Sequence, residues 1–140
     1  MTAFMYAVLT ACVWGIVPVI EKIGLGKVDP GIGIFYRGFG VLIGMSFLAV
    51  MYTSKNISFK ADLKSIILLV LGGLLASFIG QFFFYRSLKM GEASLVVPVA
   101  AMYPLVSFII AVTALNERIT PGKICGMILV IAGVVLLKGK

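Results

Sequence analysis

Five acidic side chains are present, Glu21, Asp29, Asp62, Glu92 and Glu117, and Glu21 alone falls within a long apolar run. Ionisable groups inside such runs are expensive and by default face a bundle interior or a water-filled path. Glu21 is followed by Lys22, which leaves two readings open: an interfacial charged pair, or a carboxylate that gates a path or couples it to protons. Arg37 stands about two turns into the next run. Its guanidinium can snorkel to the interface, hold an anionic group in two-point fashion, or pair with Glu21 across the short hairpin between the two runs.

Polar residues recur elsewhere at helical spacing. Gly73, Ser77, Gln81 and Tyr85 follow one another at intervals of four, which sets them close to one helix face. Such a face lines a cavity or packs on a partner helix, and Gln81 reads either as lining or as an interhelical hydrogen bond worth about 0.6 kcal/mol. In the first run Thr10, Trp14 and Pro18 lead toward Glu21. Pro18 frees a backbone carbonyl and bends its helix. Trp14 lies near mid-depth rather than at an interface. It reads either as a cavity wall, whose ring can stack on an aromatic or cationic substrate, or as core packing. Pro98 and Pro104 flank Met102 and Tyr103, so the fourth run is expected to bend or break there, as helices do at many membrane binding sites. Tyr103 and Ser107 share a face, which makes Tyr103 a candidate lining residue. Glu117-Arg118 lies in a tight loop ahead of Thr120 and reads as a structural turn that completes the cap.

These residues are set in 140 positions of which 61% are hydrophobic and 12% charged, with a mean hydropathy of +1.17. Soluble domains are about 45–50% apolar and about 25% charged, and a soluble fold of this size has too little interior for so much apolar surface. A cytosolic enzyme and a disordered tail are excluded. Five runs are long enough to span a bilayer: residues 3–23, 31–52, 66–85, 93–115 and 121–137. The connections are short, and the longest, residues 53–65, carries Lys55, Lys60, Asp62 and Lys64. The runs are too continuous for barrel strands, which alternate over about 10 residues. The expected fold is all-α: a polytopic membrane protein, a bundle of five transmembrane helices forming one domain over residues 1–140.

Boundary signals agree. Thr120-Pro121 is an N-cap followed by proline at the first helical position. Asp62 can cap the third helix, Glu92 suits the N-terminus of the fourth, and Asp29-Pro30-Gly31 forms a turn before the second. The first run lacks the basic flank of a signal peptide, and apolar sequence continues past any cleavage point. Leu9-Thr10-Ala11-Cys12 looks like a lipoprotein cleavage box, but the apolar stretch before it is short and uncharged.

Other chemistry is poorly supplied. The chain has no His, hence no His-bearing catalytic triad and no imidazole metal site. Cys12 and Cys125 sit in apolar runs without CxxC spacing and read as packing residues. No nucleophile–base pair or metal cluster stands out, so no enzyme activity, metal or cofactor is expected. The net charge of +7 is too scattered for a nucleic-acid patch.

Charge placement bears on orientation. One side of a five-helix arrangement would carry Lys55, Lys60, Lys64, Arg118 and Lys123, and the other Lys22, Lys27, Arg86, Lys89, Lys138 and Lys140, with Arg37 inside a helix. So even a split hardly selects an orientation under the positive-inside rule. A chain inserted both ways can pair with itself head to tail, the arrangement that inverted repeats achieve within one chain. Gly40-x-x-x-Gly44 and Gly122-x-x-x-Gly126, continued at Gly133, permit close helix approach for packing or dimer contact.

Several segments carry a family likeness: Trp14-Gly15, Arg37, Leu88-Lys89-Met90-Gly91-Glu92-Ala93-Ser94-Leu95-Val96-Val97-Pro98, Tyr103-Pro104, Asn116-Glu117-Arg118-Ile119-Thr120, and Gly126-Met127-Ile128-Leu129-Val130-Ile131-Ala132-Gly133-Val134-Val135-Leu136-Leu137. The chain resembles the EamA domain of the drug/metabolite transporter superfamily over essentially its whole length, most strongly from Ala93 to Leu137. Members typically carry two such domains in ten helices, and this chain carries one. The resemblance implies a half-transporter in the inner membrane of a bacterium or archaeon. It would export a small metabolite or drug-like compound by alternating access, as an antiparallel homodimer or a heterodimer with another half-transporter. Trp14, Glu21, Arg37, Ser77, Gln81, Tyr85 and Tyr103 are the expected substrate pathway. The expected partners are the bilayer, a small-molecule substrate and a second half, with proton coupling open at Glu21. The small multidrug resistance proteins of the same superfamily carry a carboxylate deep in the first helix, a feature that Glu21, near the far end, matches only loosely. Two rival readings stand beside this one: a lipid-linked sugar flippase subunit, and a membrane scaffold that transports nothing.

Overall fold

The structure is a computed structural model that describes residues 2–138. Every regular element among the described residues is helical. The chain divides into two compact units, Met1–Lys89 and Met90–Lys140.

The first unit holds three helices, α1 (Ala3–Leu25), α2 (Pro30–Ser54) and α3 (Leu63–Met90). Each begins on a side-chain cap, since the first N–H groups of a helix lack internal acceptors. Thr2 accepts from Met5 N–H at 3.4 Å, Asp29 from Gly31 N–H at 2.8 Å, and Asp62 from Ser65 N–H at 2.9 Å. Pro30 is the first residue of α2, where its missing N–H costs nothing. The far end of α2 closes on Asn56, whose left-handed φ of 53° turns the chain so that Ile57 N–H reaches back to Tyr52 O at 2.9 Å.

Helix α3 runs beyond the expected 66–85 at both ends. Asp62 starts it early, and Arg86 to Lys89 prolong it because Arg86, Leu88 and Lys89 are good helix formers and Leu88 is buried. Its middle is a π-turn, Leu75–Gly80, between the α-helical stretches Leu63–Leu74 and Gln81–Met90. A Cβ on Gly80 would lie 3.0 Å from the Leu75 carbonyl oxygen, so a glycine closes this turn without crowding.

In the second unit, α4 (Ala93–Ala114) starts after Glu92 and is broken as the two prolines lead one to expect. Its halves, Ala93–Ala100 and Tyr103–Ala114, meet at Ala101-Met102, and Pro104 lies in the first turn of the second half. Asn116, with φ 54°, ends the helix, and Glu117 N–H donates to Ala111 O at 3.1 Å. Helix α5 (Pro121–Lys138) opens on Thr120, which accepts from Lys123 N–H at 3.3 Å, and packs against the first half of α4. Glu117 pairs with Lys123 at 3.3 Å, and the same ammonium donates to Arg118 O at 3.1 Å, so this loop has the structural role its sequence suggests.

α1, α2, α3 and α4 are long and apolar enough to cross a membrane. α5, apolar over Pro121–Leu137, sits at the short end of the roughly 17–25 residues a span requires. Large apolar side chains cover the outside of these helices, as lipid as the solvent allows. Among the described residues, the buried apolar side chains lie in the first unit: Leu25, Tyr85 and Leu88 are 4%, 3% and 1% exposed, and Pro18 is also buried.

Candidate functional site

The lower turns of α1, the start of α2 and the end of α3 converge on the Glu21 carboxylate. Oε1 accepts from Arg37 Nε at 3.1 Å and from the Tyr85 hydroxyl at 2.8 Å. Gln81 Nε2 donates to both oxygens at 3.2 Å. The Glu21 side chain keeps 11% of its surface exposed and that of Arg37 34%. One guanidinium neutralises the carboxylate and two neutral donors saturate it, the arrangement a charge needs away from water. Of the three readings left open for Arg37, the pair with Glu21 is the one formed in the structure.

Local sequence explains how the donors arrive. Gln81 and Tyr85 are one turn apart on the Gln81–Met90 stretch and share a face. Gln81 immediately follows the π-turn, which has more residues per turn than an α-helix and so offsets the drift of a four-residue row. Arg37 is one turn after Gly33, and Gly33 is the point of closest approach. A Cβ there would lie 2.8 Å from Leu25 Cδ2 and 3.1 Å from Tyr85 Cε2. A side chain at this position would have to displace the Leu25 side chain and the Tyr85 ring. Two lysines close the same end: Lys22 Nζ donates to Leu88 O at 2.7 Å, and Lys89 Nζ to Val28 O at 2.8 Å. Leu88 O is among the final carbonyls of α3, which have no helical donor of their own.

Beside the cluster a cleft of about 600 Å³ opens against α2, walled mainly by Ile34, Phe35, Phe39, Val41 and Leu42 and reached by Arg37 and Ser77. Four of the seven expected pathway residues, Glu21, Arg37, Gln81 and Tyr85, are joined in one network, and Ser77 lines the cleft that Arg37 also lines. Trp14 stands apart from the network with 61% of its surface exposed, and Tyr103, 58% exposed, belongs to the second unit. Thr10, in the row that leads to Trp14, donates to its own helix at Tyr6 O, 2.9 Å away. Around Gly40, Gly44, Gly122, Gly126 and Gly133 an added Cβ would meet nothing within 4 Å, so these positions border open space in the single chain.

Sequence reasoning missed Gly33, the π-turn and the two lysine contacts. Gly33 carried a signal, its four-residue spacing to Arg37. The lysine contacts carried none, because their acceptors are backbone carbonyls that every residue has.

Comparison with known proteins agrees with this architecture. The chain is 27% identical over 136 residues to an uncharacterised protein of Methanocaldococcus jannaschii, covering 97% of this chain and 96% of the relative. No solved structure matches it significantly. The model of the EamA-like transporter family matches residues 1–138, across both units. With long apolar helices and a carboxylate network between three of them, this multi-pass membrane protein belongs to the EamA-like transporter family.

Proposed function

We propose that the protein is a half-transporter of the inner membrane that exports a small metabolite or drug-like compound by alternating access, as an antiparallel pair of identical chains. One observation carries the reading. Glu21 is the one acidic residue inside a helix among the described residues, and three donors from two other helices hold it. A carboxylate so placed binds the helices together when ionised and loosens them when protonated, which is what a proton-coupled gate requires. Proton coupling needs no bound cofactor.

Pairing is supported by the near-even placement of basic residues and by the open space at Gly40, Gly44, Gly122, Gly126 and Gly133, which a second copy's helix can fill. Such a pair would supply ten helices. Trp14 and Tyr103, exposed in the single chain, would then be lining residues between copies. The apolar cleft beside Arg37 is the one feature that favours a lipid-linked flippase. It is the weaker reading, because Glu21 already occupies the charge that an anionic head group would need.

The test is reconstitution in proteoliposomes under an imposed proton gradient, screening amino acids, nucleosides and cationic drugs. Proton-coupled flux of at least one class is expected, abolished by Glu21→Gln and retained by Glu117→Gln. Flux of no compound would overturn the proposal in favour of a scaffold, and flux that Glu21→Gln leaves as in the parent would overturn proton coupling at Glu21.

A further inference from the structure

We infer that the π-turn Leu75–Gly80 is a register switch: on relaxing to α-helix it rotates the first half of α3 against the second and carries Ser77 out of the cleft beside Arg37. The inference rests on the reading of Glu21 as a gate and supplies the moving part.

The two halves of α3 are held very differently. The second half is anchored, with Tyr85 and Leu88 buried, Lys22 on the Leu88 carbonyl, and Lys89 fixed to Val28. The first half, Leu63–Leu74, and the π-turn itself have no buried residue. A change of register must therefore turn the unanchored half. A π-turn holds one residue more than the α-turn it replaces, so its relaxation rotates that half by roughly 100°. Gly80 leaves both states accessible: its lack of a Cβ spares the π form a 3.0 Å contact with the Leu75 carbonyl oxygen.

The link to the carboxylate is Gln81, the first residue after the turn, which donates to both Glu21 oxygens. The charged and titratable groups around Glu21 are Arg37 from α2, Tyr85 from α3 and its neighbour Lys22 on α1, with Arg86 and Lys89 on the same half of α3. A proton on Glu21 takes one acceptor from Gln81 and weakens the hold of Arg37, and the end of the turn is released. Ionised Glu21 holds the π form, with Ser77 at the cleft.

The experiment uses full-length protein in proteoliposomes with Cys12→Ala and Cys125→Ala. Gly38→Cys and Ser77→Cys place two thiols on the cleft, and a Cβ at Gly38 meets nothing within 4 Å. A bifunctional maleimide reports their proximity. The parent is expected to crosslink, and Gly80→Ala to lower the yield at least about threefold. Deletion of Ile79 converts the turn to α while keeping Ser77 near its present face, and should preserve the crosslink. Glu21→Gln should lower the yield in the parent and leave it unchanged in the Ile79 deletion. Equal yields in parent and Gly80→Ala, or an equal effect of Glu21→Gln in both backgrounds, would overturn the switch. Should Gly80→Ala fail to fold, the two-background comparison decides alone. Failure of the gate reading is distinguished by the flux assay, where Glu21→Gln would behave as the parent while the Gly80→Ala and Ile79-deletion results stand.

Discussion

The Tyr85 hydroxyl donates to Glu21 Oε1 at 2.8 Å, across 64 residues of chain. The ring that carries this hydroxyl is buried against the backbone of Gly33, so one side chain locks α3 to α1 by a polar bond and to α2 by contact. Interhelical hydrogen bonds in membranes average only about 0.6 kcal/mol, but a bond to a charged acceptor is worth about 1.5–3 kcal/mol. The Glu21 network therefore carries more of the unit's cohesion than its few atoms suggest.

Tyr85→Phe keeps the ring and removes the donor. It should lower stability by about 1–2 kcal/mol in equilibrium unfolding from mixed micelles. Tyr103→Phe, at an exposed hydroxyl outside the network, should change it by less than about 0.5 kcal/mol. Equal effects would mean that the Glu21 bond contributes nothing to stability.

Gly33→Ala places a methyl 2.8 Å from Leu25 Cδ2 and 3.1 Å from the Tyr85 ring. Overpacking of this kind costs about 1–3 kcal/mol. Gly40→Ala, with nothing within 4 Å, should be neutral or stabilising by up to about 1 kcal/mol through helix propensity. The same unfolding series reads both. A bulky Gly40→Leu should separate pairs of chains in a crosslinking assay without unfolding them.

Lys22→Met and Lys89→Met each remove a donor to a backbone carbonyl, Leu88 O and Val28 O respectively. Amide hydrogen exchange over the last turn of α3 should quicken in Lys22→Met, because the orphaned carbonyl lies on that helix. The Lys89 contact is exposed and the Lys22 contact half-buried, so Lys89→Met should do less. The reverse ranking would locate the clasp at the α1–α2 loop instead.

Asp62 lies in the loop before α3, and hydrogen bonds with Ser65 hold its carboxyl below the ordinary value of 3.8. Its folded-state value is thus below its unfolded one. The capping contribution is present above about pH 4 and is lost as pH falls through the depressed value. Amide exchange at Ser65 and Ile66 should accelerate in acid. Asp62→Ala should show the fast exchange already at neutral pH, with no further change at the α3 start on acidification.

Much of this is legible in the sequence. The caps at Asp62 and Thr120, the turn at Asp29-Pro30-Gly31 and the interruption of α4 between Pro98 and Pro104 are local events, set by residues within a turn of one another. The row through Gln81 and Tyr85 was visible for the same reason. The π-turn was not, because Leu75–Gly80 is as apolar as an ordinary α-helical segment and its sequence carries nothing that sets it apart.

Composition and periodicity by themselves determined that the chain is an all-helical membrane protein, since a bilayer demands long apolar runs that satisfy their own backbone. They also singled out Glu21, the one acid inside a helix among the described residues. The pair with Arg37, 16 residues away across a short hairpin, was among the readings the sequence offered. Gln81 and Tyr85 stand 60 and 64 residues from Glu21, no spacing rule spans such distances, and tertiary structure alone decided their part. Their meeting depends on how closely three helices approach at Gly33, a steric fit that exists only once the helices pack.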